Sequence, residues 1–174
     1  GGVSGVLKHI PGHGRGTLDS HLELPRVPTD RDSLERHDFE AFRQLNTIEM
    51  GMTAHLVFED IDPNHPATHS PAMIDIIRKH IGFDGLLMTD DISMQALSGP
   101  LDVRAQRALS AGCDIILHCN GQMDEMQLLA GSTNGLSAPS QMRVTRVLAR
   151  RPDVQPVDIQ QVKAEFDALL GELR

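Results

Sequence analysis

The chain has 174 residues, of which 40% are hydrophobic and 23% charged, enough for one domain with a real core. A formal charge of −8 and the absence of any long apolar run exclude the basic face that nucleic acid calls for and a helix across a bilayer. Two cysteines, Cys113 and Cys119, lack metal-type spacing and read as small buried packing residues in a reducing compartment.

Along the chain, Val3–Leu7 reads as a short buried strand. It runs into Lys8-His9-Ile10-Pro11-Gly12-His13-Gly14 and then Asp19-Ser20-His21, polar segments set around a Pro-Gly turn that no helix accommodates. The spacing of Phe39, Phe42 and Leu45 predicts a helix over Glu40–Met50. Thr53–Phe58 follows as a second strand, then a loop rich in Pro, Asn and Asp from Glu59 to His69. Ser70 as N-cap and Pro71 at the first helical position start a helix that continues through Met73, Ile74, Ile77 and Ile81, and Gly82 stops it. A third strand, Gly85–Thr89, ends in Asp90-Asp91. A helix over Asp102–Ala111 closes with Gly112 and delivers a fourth strand, Asp114–His118. The remainder reads as helices near Asp124–Ala130, Ser140–Ala149 and Asp158–Leu170, with Pro152 and Pro156 separating the last two.

Strand and helix alternating in this way indicate parallel βα units, and short apolar strands fit a sheet covered on both faces. Two architectures accommodate them: a doubly wound open sheet, or four consecutive units of a (β/α)8 barrel. A complete barrel takes about 250 residues, more than are present.

Each strand ends in polar groups: Lys8 and His9, His55, Asp90 and Asp91, then His118 and Asn120. In a barrel these ends converge on one mouth, whereas in any βα fold they are solvated loops. Asp19 and His21 stand two apart, so in an extended segment they point the same way. A carboxylate there fixes the imidazole tautomer and makes the histidine a usable proton donor and acceptor. Asp90 and Asp91 point in opposite directions, so one faces the mouth and the other caps the turn near Ser93. The residues themselves do not choose between them. His9, His13, Asp19 and His21 also suit a zinc-type ion, as in a metal-dependent hydrolase. Against that stand the lack of an HExxH helix or a four-ligand Cys/His frame and the positive charge of Lys8. No cofactor is expected.

The run Lys8-His9-Ile10-Pro11-Gly12-His13-Gly14 with Asp19-Ser20-His21 resembles the KHFPGHG…DSH signature of bacterial β-N-acetylglucosaminidases of glycoside hydrolase family 3. Gly82-Phe83-Asp84-Gly85-Leu86-Leu87-Met88-Thr89-Asp90-Asp91-Ile92-Ser93-Met94 resembles that family's GF(D/K)G…(S/T)DDLSM block. Thr53-Ala54-His55 is similar to its PAH strand end, and Ala111–Leu117 to its AGCDMIL strand.

The resemblance implies an α/β fold, the second half of a (β/α)8 TIM barrel followed by C-terminal helices. Residues 1–174 then form the C-terminal portion of a single catalytic barrel. The N-terminal half, with an aspartate and an arginine that grip the sugar, is absent from this chain. By the same resemblance Asp90 is the nucleophile, His21 the general acid/base and Asp19 its dyad partner, while Lys8 and His9 hydrogen-bond the sugar. His13 structures the loop. The implied substrate is an N-acetylglucosamine-containing saccharide, of the muropeptide class handled in cell-wall recycling in the bacterial cytoplasm. The implied partner is the missing half of the barrel. With no Trp or Tyr in the chain, hydrogen bonds and residues from that half would carry sugar recognition. A phosphorylase that uses phosphate in place of water, and an inactive fragment with a vestigial site, are the alternatives.

Overall fold

The computed structural model describes residues 2–154 and 156–172. Strand β1 (Val6–Ile10) opens the fold, and the loop after it leads to the two-residue β2 (Arg26–Val27). A helical stretch follows as α1 (Arg31–Ser33), a π turn (Leu34–Asp38) and α2 (Phe39–Arg43), then β3 (Met50–Thr53) and β4 (Val57–Phe58). Next come α3 (Pro71–Asp75) with its π turn (Ile76–His80), β5 (Leu86–Asp91), α4 (Leu101–Ala111) and β6 (Ile115–Leu117). Helices α5 (Met123–Ser132), α6 (Ala138–Ala149) and α7 (Ile159–Glu172) complete the described chain.

The main sheet is parallel with order β1-β3-β5-β6, so neighbours in space follow chain order. A doubly wound sheet reverses its order at a switch point. The unreversed order, with helices between the strands, is an arc of a (β/α) barrel. Strands β2 and β4 form a separate small parallel pair.

The register assigns each face. Leu7, Gly51 and Leu87 stand side by side and are buried beneath the helices, where Phe39, Ile77, Ile81, Phe83, Ala105 and Ala108 complete the core. Val6, Met50 and Leu86 share the other face, as do Met52, Met88 and Ile115. That inner wall is apolar, yet Val6 is 39% exposed and the methionines are only half-buried. Two-residue alternation carries the same face on to Lys8 and Asp90 at the strand ends.

Several element boundaries depart from the sequence reading. The first strand is Val6–Ile10, so Lys8 and His9 belong to the strand itself. Where a helix is expected over Glu40–Met50, helical backbone begins at Arg31, capped by Asp30 Oδ1 accepting from the Ser33 N–H at 2.8 Å, and ends at Arg43. The expected strand Thr53–Phe58 is two strands, β3 and β4, with His55 between them. Cys119 is exposed, contrary to its reading as a buried residue; Cys113 is buried. The helix stops hold: Gly82 and Gly112 take φ of +76° and +114°, left-handed values that favour glycine. Ser70 also caps as expected, accepting from the Met73 N–H at 3.2 Å.

Candidate active site

A cavity of about 560 Å³ lies at the C-terminal ends of β1 and β5, lined by Lys8, His9, His13, Gly14, Leu18, Asp19, Ser20, His21 and Asp90. All five site residues read from the sequence therefore line one hollow. Two strands supply Lys8, His9 and Asp90, and the loop after β1 supplies Asp19 and His21.

The adjacent aspartates separate cleanly. Asp90 faces the cavity, with His9 Nε2 3.4 Å from its Oδ2. Asp91 turns away. Its Oδ1 accepts from the Ser93 and Cys119 backbone N–H groups at 3.1 and 3.2 Å, and its Oδ2 from the Ser93 hydroxyl at 2.7 Å. It thus ties the end of β5 to the end of β6. Burial holds His9 below the ordinary imidazole value, against the opposing pull of Asp90.

Asp19 Oδ1 accepts from the His21 backbone N–H at 2.9 Å and lies 2.8 Å from His21 Nδ1. These two bonds, the backbone one foremost, keep the Asp19 carboxyl below the usual carboxylate range. With Nδ1 engaged, Nε2 of His21 is the nitrogen free to exchange a proton with a bound molecule. Both side chains are exposed, at 75% for His21 and 60% for Asp19, so the pair is open to solvent.

The other polar strand ends have different uses. His55 is buried, donates from Nε2 to the Asp91 carbonyl at 3.1 Å and has Nδ1 2.8 Å from the Thr68 hydroxyl. Desolvation lowers its pKa and keeps it neutral, and it braces the strand end that carries Asp90. His118 and Asn120 both bond Glu125 Oε2 at 2.7 Å, which pins the turn after β6 to α5, away from the cavity of Asp90. Among the described residues, no three His, Cys, Asp or Glu side chains converge as a set able to hold a metal ion. The zinc-type grouping of His9, His13, Asp19 and His21 is therefore not assembled.

Two supporting contacts escaped the sequence reading. Ser20, 7% exposed between the dyad residues, has its Oγ 3.2 Å from His13 Nε2. The Gln95 backbone N–H donates to the His21 carbonyl at 3.2 Å. For Ser20 a signal existed: the alternation that aims Asp19 and His21 one way aims Ser20 the other.

Residues 1–150 match the family profile described as Glycosyl hydrolase family 3 N terminal domain. The chain is 45% identical over 124 residues to a beta-hexosaminidase of Alkalilimnicola ehrlichii, covering 68% of this chain and 35% of that protein. It is 37% identical over 152 residues to a beta-hexosaminidase of Methylobacillus flagellatus, covering 84% and 43%. Among solved structures, NagZ from Neisseria gonorrhoeae in complex with N-trifluoroacetyl-D-glucosamine superposes with a TM-score of 0.75 at 32% identity, over 92% of this chain and 46% of that one. The chain thus spans less than half the length of each of these relatives.

Proposed function

This chain belongs to glycosyl hydrolase family 3, and from that premise we propose that it carries the reacting groups of a β-N-acetylhexosaminidase that cleaves terminal β-N-acetylglucosaminides with retention. The observation that carries the reading is the cavity in which Asp90, Lys8 and His9 meet the Asp19–His21 pair. Asp90 attacks the anomeric carbon from the α face while the protonated His21 gives its Nε2 proton to the departing glycosidic oxygen. The product of that step is an ester between the sugar and Asp90. Neutral His21 then takes a proton from water, which attacks the same carbon from the β face and frees Asp90. Asp19 holds the ring by Nδ1 and stabilises its charged form. Lys8 and His9 hydrogen-bond sugar hydroxyls. A retaining site usually pairs two carboxylates about 5–5.5 Å apart. An imidazole on a loop takes one of those two roles in this reading.

The names of the relatives support the sugar. The finer substrate class, N-acetylglucosaminyl-1,6-anhydro-muramoyl peptides from cell-wall recycling, and action in the bacterial cytoplasm rest on the sequence resemblance. Among the described residues, no helix is long and apolar enough to cross a membrane. Phosphate in place of water is the second reading, favoured by the cationic Lys8 beside the histidines of the cavity. Release of a sugar 1-phosphate in phosphate buffer would establish it.

Turnover further requires a companion segment that supplies the remaining βα units. Three observations support this: the half-exposed inner wall of Val6, Met52 and Met88, the sheet edges at β1 and β6, and the short span of the chain against its relatives. Unpaired strand edges also invite aggregation. Expression of Gly1–Arg174 alone, assayed on a chromogenic β-N-acetylglucosaminide, is expected to give no turnover; full activity would refute the requirement.

The mechanism is tested in the natural polypeptide that carries this chain. Azide should rescue Asp90→Ala as the α-glycosyl azide and His21→Ala as the β-glycosyl azide, because each small anion replaces a group on a different face. Undiminished turnover by Asp90→Ala, or the opposite anomers, would reject the assignment.

A further inference from the structure

We propose that His13 is a positioning residue: through Ser20 it holds the Asp19–His21 dyad over the sugar cavity. This rests on the reading of Asp90 and His21 given above.

The loop between β1 and β2 bears an exposed acid/base pair, and an exposed pair is useful only if something fixes where it stands. Ser20 supplies the fixed point. It sits between Asp19 and His21, is 7% exposed, and has its Oγ 3.2 Å from His13 Nε2. His13 is itself anchored. Its carbonyl accepts from the Gly16 N–H at 3.0 Å, closing a turn, and its ring packs edge-on against His9 with centroids 5.7 Å apart. His9 in turn lies 3.4 Å from Asp90. A continuous path of contacts therefore runs from the nucleophile through His9, His13 and Ser20 to the dyad.

A positioning role makes a specific kinetic demand. Protonation of the leaving oxygen matters most for a poor leaving group and hardly at all for an activated aryl one. Displacing the dyad therefore slows alkyl glycosides selectively, whereas a general loss of structure slows every substrate alike. The experiment compares kcat/KM for an alkyl and a dinitrophenyl β-N-acetylglucosaminide in the natural polypeptide carrying this chain. His13→Ala should lose about five- to tenfold on the alkyl substrate, the scale of one hydrogen bond, and little on the aryl one. Ser20→Ala should give the same signature, and the double variant no more than either single one. His13→Gln, which keeps a polar group within reach of Ser20, should restore most of the loss. Equal losses on both substrates, or none on either, would overturn the proposal. A wild-type protein that turns over neither substrate would instead overturn the glycosidase reading beneath it.

Discussion

The backbone N–H of Gln95 donates to the carbonyl oxygen of His21 at 3.2 Å, so the loop bearing the imidazole is tied to the segment that follows Asp90. The proposed nucleophile and the proposed acid/base, which act on opposite faces of one sugar ring, are thereby held by neighbouring pieces of backbone. Such a tie is independent of side-chain identity, which is why no motif announces it.

The tie can be removed on its own. Gln95 is the second residue of a turn closed by the Leu97 N–H donating to the Met94 carbonyl at 3.2 Å, the position that favours proline. Gln95→Pro should leave the turn intact while deleting the donor. One neutral hydrogen bond is worth about 1 kcal/mol, so a loss near fivefold in kcat/KM is expected with the melting temperature little changed. Hydrogen exchange over residues 18–23 should rise in parallel. Unaltered kinetics and exchange would count against the tie.

The adjacent carboxylates should part company under substitution. Asp90→Asn removes the proposed nucleophile while keeping an acceptor for the Asp91 N–H at 2.8 Å, and weakens only the 3.4 Å contact with the part-exposed His9, so it should abolish turnover and leave urea stability close to wild type. Asp91→Ala strips partners from the Ser93 and Cys119 N–H groups and should cost about 1–3 kcal/mol. The expected crossing, activity lost in one and stability in the other, is read from paired kinetic and denaturation curves.

The sequence made the strands and the residues that line the cavity legible because both are local: short apolar runs bounded by turns, and charged groups at fixed spacing. It was less able to place what depends on contacts across the fold. Thr53–Phe58 reads as one strand, but His55 bonds Thr68 and the Asp91 carbonyl, and the chain leaves the sheet between Thr53 and Val57 to make those bonds. The three-residue recurrence of Phe39, Phe42 and Leu45 located a helix but neither its start, which the Asp30 cap marks, nor its end at Arg43, before Leu45. Neither π turn has a local signature. The choice between Asp90 and Asp91 likewise depended on β6, because only the Cys119 N–H and Ser93 reveal which carboxylate is already occupied.

Acid should destabilise the fold before its carboxylates titrate. Desolvation, the largest influence on both, lowers the pKa of His55 and pushes that of His69 down to about 4. A histidine depressed in the folded state takes up its proton on unfolding. Its contribution is therefore whole above the unfolded value of 6.5 and is lost as pH falls from there toward about 4. Each such proton adds a slope of up to about 1.4 kcal/mol per pH unit within that window. The urea midpoint should fall between pH 7 and pH 5, and His69→Gln should flatten the dependence. A midpoint that rises across that interval would contradict the burial of these rings.

The opposite end of the sheet should govern stability alone. The Asp114 side chain, 2% exposed, pairs with Arg78 at 2.7 Å and Arg143 at 3.0 Å, and accepts from the Leu87 N–H and the Ser140 hydroxyl, both at 2.8 Å. Arg78 also donates to the Phe83 and Gly85 carbonyls, so one buried anion binds the start of β5 to α3 and α6. It precedes β6, at the end of the barrel wall away from Asp90, where such networks hold the fold together. Asp114→Ala would leave the Arg78 guanidinium, 16% exposed, without its counter-charge, and breaking a buried pair in this way costs about 3–5 kcal/mol. Asp114→Asn keeps an acceptor oxygen for the Leu87 N–H, with its amide nitrogen turned to the Ser140 hydroxyl as a donor, and should cost less. If the two variants were equally destabilised, the lost charge and not the hydrogen bonds would be the source of the loss. In either variant, kcat/KM per folded molecule should match wild type, since no atom of this network reaches the cavity of Asp90.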